Sequence, residues 1–289
     1  MFGHTLLALV LLAAQTDQTI QVRRGARLEV NNFSGSVTVR AWDRDQVRVQ
    51  VEHSDRDTID VQTTDSLVSV RSRGRNGVPR SLDYTITVPA WMPVSVSGTA
   101  TDVDVDGTAA DVTIETVRGD VKVRGGAGFV RLQSVQGGVS VERTKGRVEA
   151  HTFNDSIHLA DISGDVTAET INGGITLERI DASSVDASTV NGEISFDGQI
   201  KDRGLYRLTS HNGPIDVTLA DGVNATVTVR TFNGEVTSTL PVRIEQADKH
   251  RRTLTSGNGS ARVEIESFNG EISLHRPGDA NAKRERKRR

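Results

Sequence analysis

VKVRGGAGFVRLQSVQGGVSVERTKGRVEAHTFNDSIHLADISGDVTAETINGG, residues 121–174, decides the fold. Stepping by nine from Val121 meets Val130, Val139, Val148, Ile157, Val166 and Ile175. Stepping backward meets Val112, Val103 and Val94, and after one insertion the series resumes at Val185 and Ile194. Every position is β-branched and apolar. Two residues further on the chain is apolar again, as at Val123, Leu132, Val141, Ala150, Leu159, Ala168 and Leu177. The neighbours Lys122, Arg131, Ser140 and Glu142 are polar. Period-two alternation marks a strand with one buried face.

Seven residues after each strand start stand Gly119, Gly128, Gly137, Gly146, Asp155, Gly164, Gly173, Ala182 and Gly192. Gly and Asp tolerate the backbone of tight corners. Alternate corners differ. Phe153-Asn154-Asp155, Ile171-Asn172-Gly173 and Val190-Asn191-Gly192 form one set, continued by His211-Asn212-Gly213, Phe232-Asn233-Gly234 and Phe268-Asn269-Gly270. Phe33-Ser34-Gly35 foreshadows it. The beat therefore doubles to eighteen. It predicts an all-β chain wound as a single-stranded parallel β-solenoid, with two short strands per lap and laps about 4.8 Å apart. Identical Asn residues would then stack and pass amide hydrogen bonds along one corner. An antiparallel meander or sandwich is the competing architecture, and it has no reason to keep so strict a beat.

The beat loosens at both ends. Residues 15–276 are expected to form the repeat domain, with an irregular N-terminal cap to about residue 92, regular laps over 93–236 and irregular laps to 276. Arg71 to Arg80, Gln199 to Arg203 and Leu240 to Asn258 read as loops. Irregular ends suit caps, because a solenoid must cover its exposed edges.

Thr5 to Ala14, TLLALVLLAA, is an apolar run of signal-peptide length with a small-residue cleavage site at Ala13-Ala14. It is too short to span a bilayer. Residues 1–14 are therefore expected to direct export to the periplasm or the exterior. No later segment reads as membrane-spanning. Without any cysteine, disulfides, thiol chemistry, Cys-ligated zinc and a lipoprotein anchor are excluded. The formal charge is −3, so no basic field points to sequence-specific nucleic-acid binding. Lys283 to Arg289 contribute +5, leaving −8 for the rest. Residues 277–289 are expected to be a disordered, solvated basic tail, suited to an anionic partner.

Val30 to Trp42 (VNNFSGSVTVRAW), Tyr84 to Pro89 (YTITVP) and the G-x-V-x-V laps resemble the bacterial putative-adhesin proteins, β-strand-repeat domains of unknown function related to the head domain called GIN. The resemblance spans about residues 20 to 275. It implies an exported envelope or surface protein with a solenoid fold, and it supplies no active-site residues.

Several local motifs dissolve into the lattice. Asp102 to Gly107 opens like a calcium loop, yet its twelfth position is Thr113 where a bidentate Glu is required. Val103 and Val105 belong to the core series, so the Asp residues should face outward. Gly125 to Gly128 resembles a single calcium-roll turn without its following Asp. Arg118-Gly119-Asp120 is an adhesion tripeptide whose glycine the corner series already requires. His151 and His158 fall on consecutive strands and so on different faces. No GxSxG or HExxH occurs.

The expectation is a non-enzymatic, adhesin-like binding or scaffold protein with no cofactor, metal or catalytic residue, whose partner is an envelope protein or polymer. A polysaccharide-active β-helix enzyme is one alternative. It needs carboxylates converging in a loop-walled cleft near 71–80 or 240–258. A sugar binder would profit from aromatic platforms, and Trp42, Tyr84, Trp91 and Tyr206 are isolated. A structural spacer, stacking on its partners end to end, is the other alternative.

Overall fold

The computed structural model describes residues 14–54, 57–74, 80–220, 222–240, 243–247 and 251–279. Every regular element of any length among them is a strand. The apolar run from Thr5 lies outside them except for Ala14, and so does most of the basic tail.

The N-terminal block holds β1 (Ala14–Gln21), β2 (Arg27–Trp42), β3 (Gln46–His53), β4 (Asp57–Thr63), β5 (Leu67–Gly74) and β6 (Leu82–Pro89). The middle holds β7 (Val94–Asp106), β8 (Val112–Arg118), β9 (Val121–Arg124), β10 (Ala127–Gln136), β11 (Val139–Glu142), β12 (Lys145–His151), β13 (Ile157–Ala160), β14 (Val166–Thr170), β15 (Ile175–Thr189), β16 (Ile194–Ser210) and β17 (Ile215–Thr218). The C-terminal block holds β18 (Ala225–Thr231), β19 (Val236–Ser238), β20 (Arg243–Ala247), β21 (Arg251–Ser256), β22 (Ala261–Ser267) and β23 (Ile272–His275).

The middle follows the eighteen-residue beat. Val94, Val112, Val130, Val148 and Val166 sit side by side on parallel strands, and so do Val103, Val121, Val139, Ile157 and Ile175. These side chains are 0–2% exposed. Each such burial is worth about 1.5–3 kcal/mol relative to exposure, and the column of them is the core. The two longer steps, to Ile194 and Ile215, are absorbed at the other corner. There β15 and β16 shift register between Glu178/Ile180 and Ala182/Ser184. The Gln199–Arg203 stretch is thus part of β16 rather than a loop. Tyr206, buried beside Phe196, accepts a hydrogen bond from Lys201 N and donates to Ala182 O to hold it.

Both ends depart from a single parallel solenoid, and the sheet is mixed. β2 lies between β7 and the β5–β6 lap, parallel to all three. β3 then covers β6 antiparallel, β1 covers β3, and β4 covers β5. Arg71 to Gly74, read as loop, belong to β5; residues 75–79 are not among those described. At the other end β22 and β23 fit between the β16–β17 lap and the β18–β19 lap, parallel to both. The Leu240–Asn258 stretch contains the antiparallel pair β20–β21, and β21 closes the edge of β18. At each end the chain-terminal lap sits one place in; β3 and β4 cover both strands of the outermost N-terminal lap, and β21 covers β18 of the outermost C-terminal lap. These reversals bury edges that another parallel lap would otherwise be needed to cover.

Candidate binding surface

One corner is built from a four-residue unit, a hydroxyl residue, an apolar residue, Asn and Gly, as in Thr170-Ile171-Asn172-Gly173. The strand alternation continues into it. The hydroxyl residue points inward, and its Oγ donates to a carbonyl of the preceding lap: Ser134 to Gly119 O, Thr152 to Gly137 O, Thr170 to Asp155 O, Thr189 to Gly173 O and Ser210 to Gly192 O, all at 2.9–3.1 Å. Ser267 and Thr231 repeat the bond to Gly213 O and Gly270 O. A buried hydroxyl is thereby satisfied at every lap. The sequence reading missed this row, although a Ser or Thr before each apolar-Asn-Gly triplet at the eighteen-residue beat signals it.

The Asn residues form the expected ladder. Asn172, Asn191, Asn212, Asn269 and Asn233 each donate Nδ2 to the Oδ1 of the adjacent lap, starting on Asn154, at 2.8–3.0 Å. The ladder passes from Asn212 to Asn269 and only then to Asn233, so it records the inserted lap independently of the backbone pairing.

The apolar residue of the unit points outward. In spatial order Val117, Val135, Phe153, Ile171, Val190, His211, Phe268 and Phe232 make a ridge along the stack. Phe153 is 53% exposed and Phe232 55%. His211 stacks on Phe268 and Phe268 on Phe232, with ring centres 5.0 and 5.1 Å apart and planes within 8°. The rings turn their faces to one another, so that end of the ridge presents mostly edges. It is a poor platform for sugars, which stack on ring faces.

Beside the ridge runs a groove of about 670 Å³, walled by Val135, Phe153, Ile171 and Val190 on one side and by outward side chains of β10, β12 and β14 on the other. Glu149, little exposed, is held by Arg131 and by Arg147, each at 2.8 Å. His151 Nδ1 lies 3.2 Å from Glu169 on the next lap. The groove thus has an apolar wall and an ionic wall whose charges are already partnered.

The motifs singled out in the sequence fall elsewhere. Val103 and Val105 are buried, while Asp104 takes Arg40 and Arg124 at 3.0–3.2 Å and Asp106 takes Arg124. Burial pushes the Asp104 carboxyl up, and the two guanidiniums outweigh it and hold the group below the usual carboxylate range. Gly119 packs at the corner against Thr101 O, and Asp120 Oδ1 accepts from Gly138 N, which accounts for the tripeptide. Gly125, Gly126 and Gly128 all carry positive φ. His158 lies on β13, between Ser140 and Thr176, away from His151. Among the described residues no three His, Asp or Glu side chains gather to hold a metal ion, and no helix is long and apolar enough to cross a membrane. The 71–74 and 251–258 segments lie at opposite ends of the stack.

No curated protein matches the chain. Among solved structures, one called a "putative adhesin" from Bacteroides fragilis is 14% identical, with 90% of this chain and 97% of that one covered and a TM-score of 0.42. One of the same description from Parabacteroides merdae is 11% identical over 90% and 95%, with a TM-score of 0.36. A "putative cell adhesion protein" from Clostridium sporogenes is 10% identical over 91% and 100%, with a TM-score of 0.24. The family model described as Toastrack DUF4097 matches residues 25–275, and the chain belongs to that family.

Proposed function

We propose that the protein is a non-enzymatic, exported envelope protein that binds its partner along the side of the stack, through the apolar ridge and the groove beside it. The observation that carries the reading is the ridge itself. A line over eight laps that exposes Val117, Phe153, Val190, Phe268 and Phe232, with half-buried Val135 and Ile171 and the His211 ring filling the places between, is far from the scattered exposure normal for a surface, and the Asn ladder backs it from Phe153 to Phe232. Export rests on the Thr5–Ala14 run. The spacer alternative needs apolar, unpaired end laps, and the antiparallel strands on β5, β6 and β18 count against it. The enzyme alternative needs a carboxyl pair free for acid–base work, and the groove carboxylates Glu149 and Glu169 face cationic or imidazole partners instead.

The test is retention of residues 15–289 on bacterial envelope preparations. Placing charges on the ridge with Phe153→Asp and Val190→Asp should lower retention at least tenfold while leaving the melting temperature nearly unchanged, since both side chains are solvent-facing. Retention that survives these changes but disappears when residues 283–289 are removed would move the function to the charge of the tail and overturn the reading.

A further inference from the structure

We infer that the partner of the ridge is a second copy of this chain, docked antiparallel, ridge on ridge, about a two-fold axis lying across it. The inference rests on the reading of the ridge as the contact surface, with the copy already on the envelope as the partner that retains the added chain. Its support is the order of the side chains. Reversing the ridge sets Val117 opposite Phe232, Val135 opposite Phe268, Phe153 opposite His211 and Ile171 opposite Val190. The small Val117 and Val135 meet the rings of Phe232 and Phe268 at each extremity, two rings meet at Phe153 and His211, and two middle-sized side chains meet at the centre; Thr99 and the exposed Phe33, which continue the line beyond Val117, fall past the partner's last lap. A parallel two-fold would set Phe against Phe at one end and Val against Val at the other, with a clash and a gap. Isologous pairing needs such a self-complementary surface.

Charge agrees with size. The outward row two residues before the ridge runs Glu115, Gln133, His151, Glu169, Ser188, Thr209, Glu266 and Arg230 in lap order. The same axis faces this row with its own reverse, which places Glu115 across from Arg230 at both ends of the contact. Glu115 is exposed and has no ion-pair partner among the described residues. Arg230 is half-exposed and meets only Glu266, at 3.3 Å.

Size sets the expected strength. Seven lap spacings make the ridge about 34 Å long. With its flanking rows, a strip roughly 15 Å wide covers on the order of 1,000 Å² over both partners, the low end for specific complexes. A weak dimer with micromolar dissociation is expected rather than a permanent one.

The chain has no cysteine, which gives a clean background for oxidative cross-linking of residues 15–289. Mixing V117C with F232C should yield disulfide-linked heterodimers, and V117C alone should yield none, since its copies would sit at opposite ends of the contact. Sedimentation gives an independent readout. E115R and R230E should each weaken self-association several-fold, and mixing the two should restore it, because the mixed dimer carries both bridges. Linkage of V117C to itself would overturn the antiparallel arrangement. A wild-type chain that stays monomeric at several hundred micromolar would overturn the dimer altogether. If the ridge variants still lost envelope retention in that case, the ridge would remain a binding surface with a different partner.

Discussion

The middle laps and the two ends cover their sheet edges in different ways. In the middle, each lap is covered by the next, and partners lie eighteen residues apart, as with Asn154 and Asn172. At the C-terminal end the partners of the inserted lap are 57 and 36 residues away, as with Asn212 and Asn233 about Asn269. At the N-terminal end β2 meets β7 only after four intervening strands. Local winding carries little loop-closure cost, whereas the ends need long loops closed before any contact forms. What the ends gain is protection. The terminal lap is gripped on both sides, so the stack cannot fray one lap at a time from its chain ends.

The sharpest way to break this comparison is to end the chain after Ser260. If the end were a simple stack, only the lost strands would matter. With the inserted lap gone, β18 and β19 lose their parallel neighbour and the β20–β21 pair loses its support. Hydrogen exchange should show residues 225–256 unprotected, with residues 112–178 protected as before. Ending the chain after Asp279 should change protection nowhere in the stack. Protection of 225–256 in the shorter chain would mean that this end stands without the inserted lap.

Gly146→Ala compares a corner of the middle with the edge of the molecule. Gly146 has φ 124°, and a Cβ there would fall on Gly128 O. The lap spacing cannot give without disturbing the laps on both sides. A loss of roughly 3 kcal/mol is expected, the upper range for overpacking. Gly25 has a similar φ of 97° with nothing near its missing Cβ. Gly25→Ala should lose only about 1–2 kcal/mol, from the backbone alone. Urea denaturation of both variants checks the difference, and equal losses would show that the close stacking of corners contributes nothing.

The same contrast explains what could be read from the sequence. The Val121–Ile175 beat, the corners and the Asn ladder were legible because each lap repeats its neighbour and a repeat announces its own register. The place of the final lap was not. Ser210-His211-Asn212-Gly213, Thr231-Phe232-Asn233-Gly234 and Ser267-Phe268-Asn269-Gly270 are equivalent units, and nothing local says which stacks on which. The order is set by β21, which takes one edge of β18 and leaves only the other for β22. The ridge was half-legible. The triplets were visible in the sequence, and counting the alternation on from Val148 and Ala150 puts Thr152 inside and Phe153 outside. Partners of charges on adjacent laps, such as Arg131 and Glu149, follow from the beat. Arg40 with Asp104 does not, because it crosses the seam made by the inserted β2.

That seam supports the smallest of these effects, one that depends on pH. Asp104 joins Arg40 of the end to Arg124 of the middle. Its carboxyl is held below the usual range in the folded chain. A depressed carboxyl contributes stability above its unfolded value, about 3.9, and loses that contribution as pH falls through the lower folded value. Asp104→Asn should therefore destabilise the protein at pH 6 by less than about 1 kcal/mol, given its partial exposure. The gap between the two chains should narrow as pH falls through the lowered folded value of Asp104, where its carboxyl takes up a proton and both side chains become neutral. Denaturation midpoints of the two chains across pH 2–6 test this. A gap that stays constant as pH falls would mean that Asp104 holds the seam by shape and hydrogen bonding rather than by charge, and that the end and the middle meet without an ionic latch.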